Sequence, residues 1–216
     1  MEYSQSICAV NLLMLNKILN KLVKNKLKYI HVDIMDGHFV KNFGINFETA
    51  KYLIEKFPKV NFDAHLMVNN PLKHLNRLIE IGFKTIFLPI EKISRFNFFK
   101  ILKKHPNIFF GIMIKSNDDI NDYKEIIKKT KVILLMTINK IGGTGEKLNP
   151  DLFSKVYDIK KINPNIKIYS DGGLRKENAY LFKKHLIDVS VGGSIIFTFE
   201  NIKKFFDWWN NEINNT

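Results

Sequence analysis

The stretch Ile30-His31-Val32-Asp33-Ile34-Met35-Asp36-Gly37-His38-Phe39-Val40-Lys41-Asn42 decides how the rest of this chain is read. Its opening, from Tyr29 to Ile34, is β-branched and aromatic with no breaker, which predicts a strand. Side chains two apart on a strand share a face, so His31 and Asp33 point the same way. Asp36-Gly37 supplies a turn just past the strand end. A His-x-Asp pair alone is most often structural. Here Asp63-Ala64-His65-Leu66-Met67 closes a second strand, and Ile168-Tyr169-Ser170-Asp171-Gly172-Gly173 closes a third. Each places a His or an Asp just before a loop. Together they suggest a metal site or an acid–base pair.

Outward from this stretch, strand-like and helix-like runs alternate. Strands are expected near 3–8, 29–34, 60–67, 84–89, 107–114, 131–137, 166–171 and 187–192. Helices are expected near 12–25, 46–57, 71–81, 96–104, 117–129, 149–162, 176–185 and 200–213. Leu12, Leu15, Leu19, Leu22 and Val23 repeat at the spacing of an amphipathic helix, as do Ile120, Tyr123, Ile126 and Ile127. Asn46, Ser116 and Asn149 read as N-caps, and Pro71 suits a first helical turn. Strands such as Ile108-Phe109-Phe110-Gly111-Ile112-Met113-Ile114 are nearly continuous apolar runs, the pattern of a parallel sheet covered on both faces. Eight units in 216 residues average 27 each (216/8), the size of a compact (β/α)8 TIM barrel. The expected architecture is therefore an α/β chain forming one barrel domain over 1–216, with a doubly wound open sheet as the alternative.

Composition narrows the function. Hydrophobic residues make up 45% and aromatic residues 12%, enough for a sizeable core and against disorder. The net charge is +13, yet only Arg77, Arg95 and Arg175 among the 34 basic residues are arginine. Lys17, Lys21, Lys24 and Lys28 are spread as a solvated helical face. Base readout favours a concentrated patch with arginine forks, so nucleic acid is not the expected partner. The positive field suits steering of a phosphorylated small molecule. One cysteine, Cys8, excludes an internal disulfide and fits a reducing cytoplasm. No signal peptide is visible, and the uncharged run from Tyr3 to Asn16 is too short and too polar to span a bilayer. A cytoplasmic protein with no membrane partner is expected.

Closure of the barrel would bring His31, Asp33, His65 and Asp171 together at the C-terminal ends of their strands, where barrel active sites lie. Two imidazoles and two carboxylates suit a divalent transition metal, with zinc or ferrous iron foremost and manganese or cobalt as further options. Glycines end three successive strands: Gly142 and Gly143 after the sixth, Gly172 and Gly173 after the seventh, Gly193 beside Ser194 after the eighth. Unobstructed backbone N–H groups in such loops cradle phosphate. His74, His105 and His185 fall in helical stretches, and His38 lies beside the cluster at most.

The motifs carry a resemblance. His31-x-Asp33-x-Met35-Asp36-Gly37-His38-Phe39-Val40-x-Asn42, Asp63-x-His65-Leu66-Met67-Val68-x-x-Pro71, Met136-Thr137, Asp171-Gly172-Gly173 and Gly193-Ser194-x-Ile196-Phe197 resemble the ribulose-phosphate 3-epimerase family from Ser6 to Phe197. The resemblance implies a metal-dependent barrel that interconverts D-ribulose 5-phosphate and D-xylulose 5-phosphate in the pentose phosphate pathway of carbohydrate metabolism, as a homo-oligomer. It implies that His31, Asp33, His65 and Asp171 hold the metal and that Asp33 and Asp171 exchange the proton at carbon 3. Ser6 and His65 would approach the substrate. Met35, Met67 and Met136 would wall the reacting carbons.

The sequence also departs from the family. The loop after strand six usually reads Asn-Pro-Gly-Phe-Gly-Gly-Gln and here is Asn139-Lys140-Ile141-Gly142-Gly143-Thr144. Strand four usually ends His-x-Glu and here ends Pro89-Ile90-Glu91. The usual Asp of the first strand is Asn11, and the Pro before the serine is Gln5. D-allulose 6-phosphate is therefore the alternative substrate, and a non-catalytic sugar-phosphate-binding barrel the alternative from another class.

Overall fold

In the computed structural model, which describes residues 1–214, eight strands close into a parallel barrel in sequence order, β8 pairing with β1. They are β1 (Glu2–Ser6), β2 (Tyr29–Met35), β3 (Asn61–Met67), β4 (Thr85–Pro89), β5 (Phe109–Ile114), β6 (Val132–Met136), β7 (Lys167–Asp171) and β8 (Val189–Gly192). The intervening helices are α1 (Leu15–Lys24), α2 (Phe47–Lys56), α3 (Pro71–Ile81), α4 (Arg95–Lys104), α5 (Lys124–Lys129), α6 (Ser154–Ile162), α7 (Ala179–Lys184) and α8 (Ile202–Trp208). The fold is the (β/α)8 barrel, not the open sheet.

Alternation along the strands builds two apolar layers. Ile30, Val32 and Ile34 of β2, with Phe62, Ala64 and Leu66 of β3, pack outward under the helices. There each fully buried Leu or Ile contributes about 1.5–3 kcal/mol. Phe87, Met113, Leu134, Met136, Tyr169 and Val189 form a smaller cluster of their own, of opposite parity on their strands. The outer layer carries most of the apolar burial. That leaves the interior of the barrel free to hold polar groups, and β2 and β3 use it to bury His31, Asp33, Asp63 and His65.

The element ends obey local chemistry, with several corrections. Asn46 caps α2 by accepting from the Thr49 N–H at 2.8 Å, and Pro71 occupies the first turn of α3. Asn149 accepts from the Asp151 N–H, but the turn it starts is a 3-10 helix (Pro150–Phe153) that precedes α6. Ser116 does not cap. Asp118 accepts from the Lys115 N–H and Asp119 from the Asn121 N–H, so a 3-10 turn (Ile120–Tyr123) replaces the first half of the helix expected over 117–129. Helix α1 likewise starts after a 3-10 turn (Leu12–Met14). Strand β1 stops at Ser6, short of the expected residue 8, and passes into another such turn (Ile7–Ala9). The last expected helix, 200–213, is α8 followed by a wider π turn (Trp209–Ile213). That turn seats Trp209 5.3 Å from the Tyr3 ring and within 3.3 Å of the Met1 carbonyl, closing the barrel's last helix over its first strand. Trp208 and Trp209 are thus packing residues. Among the described residues no helix is long and apolar enough to cross a membrane.

Candidate metal and active site

Strand register begins the assembly of the site. Along the β2–β3 ladder His31 lies beside Asp63 and Asp33 beside His65, while β1 brings Ser6 beside His31 and β6 brings Met136 beside Asp171. Barrel closure completes it. The ligand atoms of His31, Asp33, His65 and Asp171 all lie within 4.8 Å of one another. His31 Nε2 is 3.3 Å from Asp33 Oδ1 and 3.7 Å from Asp171 Oδ2. His65 Nδ1 is 3.2 Å and 3.5 Å from the same two oxygens.

Each imidazole is turned by a partner on its far side. His31 Nδ1 lies 2.5 Å from Asp63 Oδ1, so the proton belongs on Nδ1 and the Nε2 lone pair faces the cluster. That Nε2 is fully buried and has no hydrogen-bond partner. On His65, Nε2 lies 3.0 Å from the Met113 sulfur, leaving Nδ1 for the cluster. A buried nitrogen without a partner, facing two carboxylates and a second imidazole nitrogen, is the arrangement a divalent cation satisfies. The donor set fits one.

The electrostatics agree. Burial pushes the Asp33 carboxyl up, but His31 and His65 outweigh it and hold the group well below the usual carboxylate range. Burial pushes the His31 imidazole down, but Asp63 and Asp33 outweigh it and hold the ring well above its ordinary value. His65 is raised in the same way by Asp171 and Asp33 against its burial. Each shift comes from the close packing of imidazole and carboxylate, the same donors a cation would draw on in their deprotonated forms.

Two adjoining clefts open on the cluster at the C-terminal mouth of the barrel. The first is lined by Ser6, Asp33, Met35, Met67, Met136 and Asp171. The second takes in Gly172, Gly173, Gly193 and Ser194, and both share Ser6, Gly143 and Asp171. Gly142 lines the first. The expected residues are therefore brought together, with one distinction: His31 and His65 lie behind the two carboxylates and line neither cleft. Ser6 Oγ donates to Asp33 Oδ2 at 3.2 Å. His38 is exposed, while His74, His105 and His185 lie in or at the ends of α3, α4 and α7.

The loop after β2 is tied over this mouth. Asp36 Oδ1 accepts from the N–H groups of His38 and Phe39, and Asp36 Oδ2 from that of Asn69. The altered loop after β6 meets it: the Asn42 side chain donates to the Gly142 carbonyl, and a Cβ on Gly142 would fall 2.5 Å from Val40. Other departures also find partners. Gln5 Nε2 donates to the Gly193 carbonyl at 3.1 Å, Asn11 caps its own turn at Leu13, and Glu91 pairs with Lys115. No site role follows from the sequence alone for Asp63, Met113, Asn42 or Arg175. Asp63 had one available signal, its position two residues before His65 on the same strand face.

A closed (β/α)8 barrel gathering two imidazoles and two carboxylates beneath a cleft at its C-terminal mouth defines a barrel enzyme with a metal-type centre. Residues 2–197 match the model of the ribulose-phosphate 3 epimerase family, and the chain belongs to that family of isomerases. The ribulose-phosphate 3-epimerase of Aquifex aeolicus is 30% identical over 178 residues, covering 81% of this chain and 79% of the relative. That of Bacillus subtilis is 24% identical, covering 94% and 95%. Among solved structures, 3-hexulose-6-phosphate synthase from Salmonella typhimurium superposes with a TM-score of 0.70 at 15% identity, covering 100% of this chain and 99% of that one. KGPDC from Streptococcus mutans gives 0.72 at 12%, covering 99% and 97%. At these identities the structural likeness speaks for the fold alone.

Proposed function

We propose that the chain is a metal-dependent epimerase that interconverts D-ribulose 5-phosphate and D-xylulose 5-phosphate. The observation that carries this reading is the position of Asp33 and Asp171, two carboxylates from separate walls that share the cluster and both line the cleft. Inversion at a carbon beside a ketone needs one group to take the proton and another to return it on the opposite face. Asp33, kept ionised by His31 and His65, and Asp171 fill those roles. His31, Asp33, His65 and Asp171 would hold the cation. When bound, it would supply positive charge that stabilises the negative charge developing on the substrate as the proton leaves. Zinc and ferrous iron match the nitrogen and carboxylate donors best. Ser6 orients Asp33 through its hydroxyl and faces the sugar. Met35, Met67 and Met136 present apolar, polarizable walls that keep water from the reacting carbons. The glycine loops after β6, β7 and β8 receive the phosphate. Homo-oligomeric assembly belongs to the same reading, and a solution mass of 25.3 kDa by light scattering would remove it.

The test is isotopic. Metal-loaded protein incubated with D-ribulose 5-phosphate in deuterated water should yield xylulose 5-phosphate carrying deuterium at carbon 3, by proton NMR. Chelation, Asp33→Asn or Asp171→Asn should abolish the exchange. Absence of exchange with every metal, on D-allulose 6-phosphate as well, would overturn the proposal in favour of a binding role. Exchange on the six-carbon sugar alone would keep the mechanism and change the substrate, the outcome that the altered loop at 139–145 and Pro89 motivate.

A further inference from the structure

We infer that Arg175 adds a side-chain clamp to the phosphate end of the cleft, an inference that rests on the function proposed above. The glycines of these loops offer backbone N–H groups, and Thr144 and Ser194 beside them offer neutral hydroxyls, so none of these groups carries a full positive charge. Arg175 lies two residues past Gly173 and lines the same cleft as Gly172, Gly173, Gly193 and Ser194. Its placement is held at three points. The Arg175 N–H donates to Asn178 Oδ1 at 2.8 Å, and Asn178 Nδ2 donates to the Gly173 carbonyl at 2.9 Å. The guanidinium itself donates from Nη1 to the Leu174 carbonyl at 2.8 Å. One donor thus anchors the fork while the others are left for a ligand.

The charge has no acid to answer it. Arg77, by contrast, pairs with Glu48 at 2.6 Å and approaches Glu80. Among the described residues no carboxylate comes within ion-pair distance of Arg175, not even Glu146, which lines the same cleft. A half-buried, tethered guanidinium in a concave glycine-lined pocket lacks only an anion. The planar fork matches a phosphate dianion through two parallel N–H···O bonds, which a lysine's point charge does not reproduce. This is also where arginine parts company with the chain's other basic residues, 31 of which are lysines (34 less 3). Arg175 is therefore a specificity residue: it selects a phosphorylated ketose and takes no part in moving the proton.

The experiment compares metal-loaded wild type, Arg175→Gln and Arg175→Lys in two measurements. The first is steady-state turnover of D-ribulose 5-phosphate. The second is binding of inorganic phosphate alone, read as thermal stabilisation, which needs no activity. Arg175→Gln should raise KM and weaken phosphate binding by about 10- to 100-fold, the scale of a lost charged hydrogen bond, with kcat nearly unchanged. Arg175→Lys should recover part of both losses. Unchanged phosphate binding in Arg175→Gln, or a fall in kcat at constant KM, would overturn the role of Arg175 and leave the epimerase reading standing. A wild type that binds phosphate through Arg175 yet exchanges no proton would sustain the clamp and remove the epimerase.

Discussion

Replacing Asp63 by Asn would leave His31 in place but remove the charge that fixes its tautomer. An amide can donate as well as accept, so the imidazole would be free to turn its protonated nitrogen toward the cluster. Outer partners of metal-bound histidines typically contribute 10–100-fold to affinity. Asp63→Asn should therefore weaken metal binding by about that factor in a chelator competition, while the far-UV spectrum stays unchanged. Equal affinity in the two proteins would reduce Asp63 to a buried polar residue of the core. The same logic separates Asp63 from Asp33 and Asp171: loss of Asp63 costs metal that excess cation can restore, whereas loss of either cleft carboxylate is not rescued by metal.

At the scale of elements, the loop after β2 is specified by close backbone contacts. A Cβ on Gly44 would lie 2.2 Å from the Asp33 carbonyl and 2.5 Å from the Met35 nitrogen, because residues 44 and 45 fold back on the strand end. Gly44→Ala should destabilise the protein by about 1–3 kcal/mol and speed amide exchange at 36–45, since the loop must lift away from β2. Normal protection there would refute the contact. Asp36 governs the same loop through pH. Slight burial raises its carboxyl, but the N–H groups of Phe39, Asn69 and His38 outweigh this and lower it. A carboxyl lowered in the folded state contributes stability that is complete above its unfolded value, about 3.9, and is lost as pH falls through the lowered folded value. The melting-temperature gap between wild type and Asp36→Ala should accordingly be widest above about pH 4 and close below it. A gap independent of pH would mean that the ionised form does no holding.

At the scale of the molecule, the β8–β1 closure is packed over by the junction of first strand and last helix. Tyr3 sits 4.7 Å from Phe205 and 5.3 Å from Trp209, and the Tyr3 hydroxyl reaches the Gly192 carbonyl at 2.9 Å. Trp209→Ala removes a nearly fully buried indole there. It should cost about 3–5 kcal/mol in urea unfolding. Because β1 also carries Ser6 and Gln5 to the mouth, the variant should lose phosphate affinity as well. A loss below about 1 kcal/mol would show that the eight strand pairs hold the barrel without this contact.

Periodicity and strand-end chemistry were enough to read eight βα units and the four cluster donors from the sequence, because alternation along a strand and spacing along a helix are local properties. Among the boundaries that moved, those at Ser116 and before α5 and α6 did so where Asp118, Asp119 and Asn149 divert backbone N–H groups into 3-10 turns. What only the tertiary structure decided is long-range. The pairing of His31 with Asp63 follows from the β2–β3 register, the Asn42–Gly142 bridge joins loops 100 residues apart, and the setting of Arg175 depends on β8 lying beside β7. A strand's own residues determine which side chains face inward. Which of them meet depends on register and closure, and those are set by every strand at once.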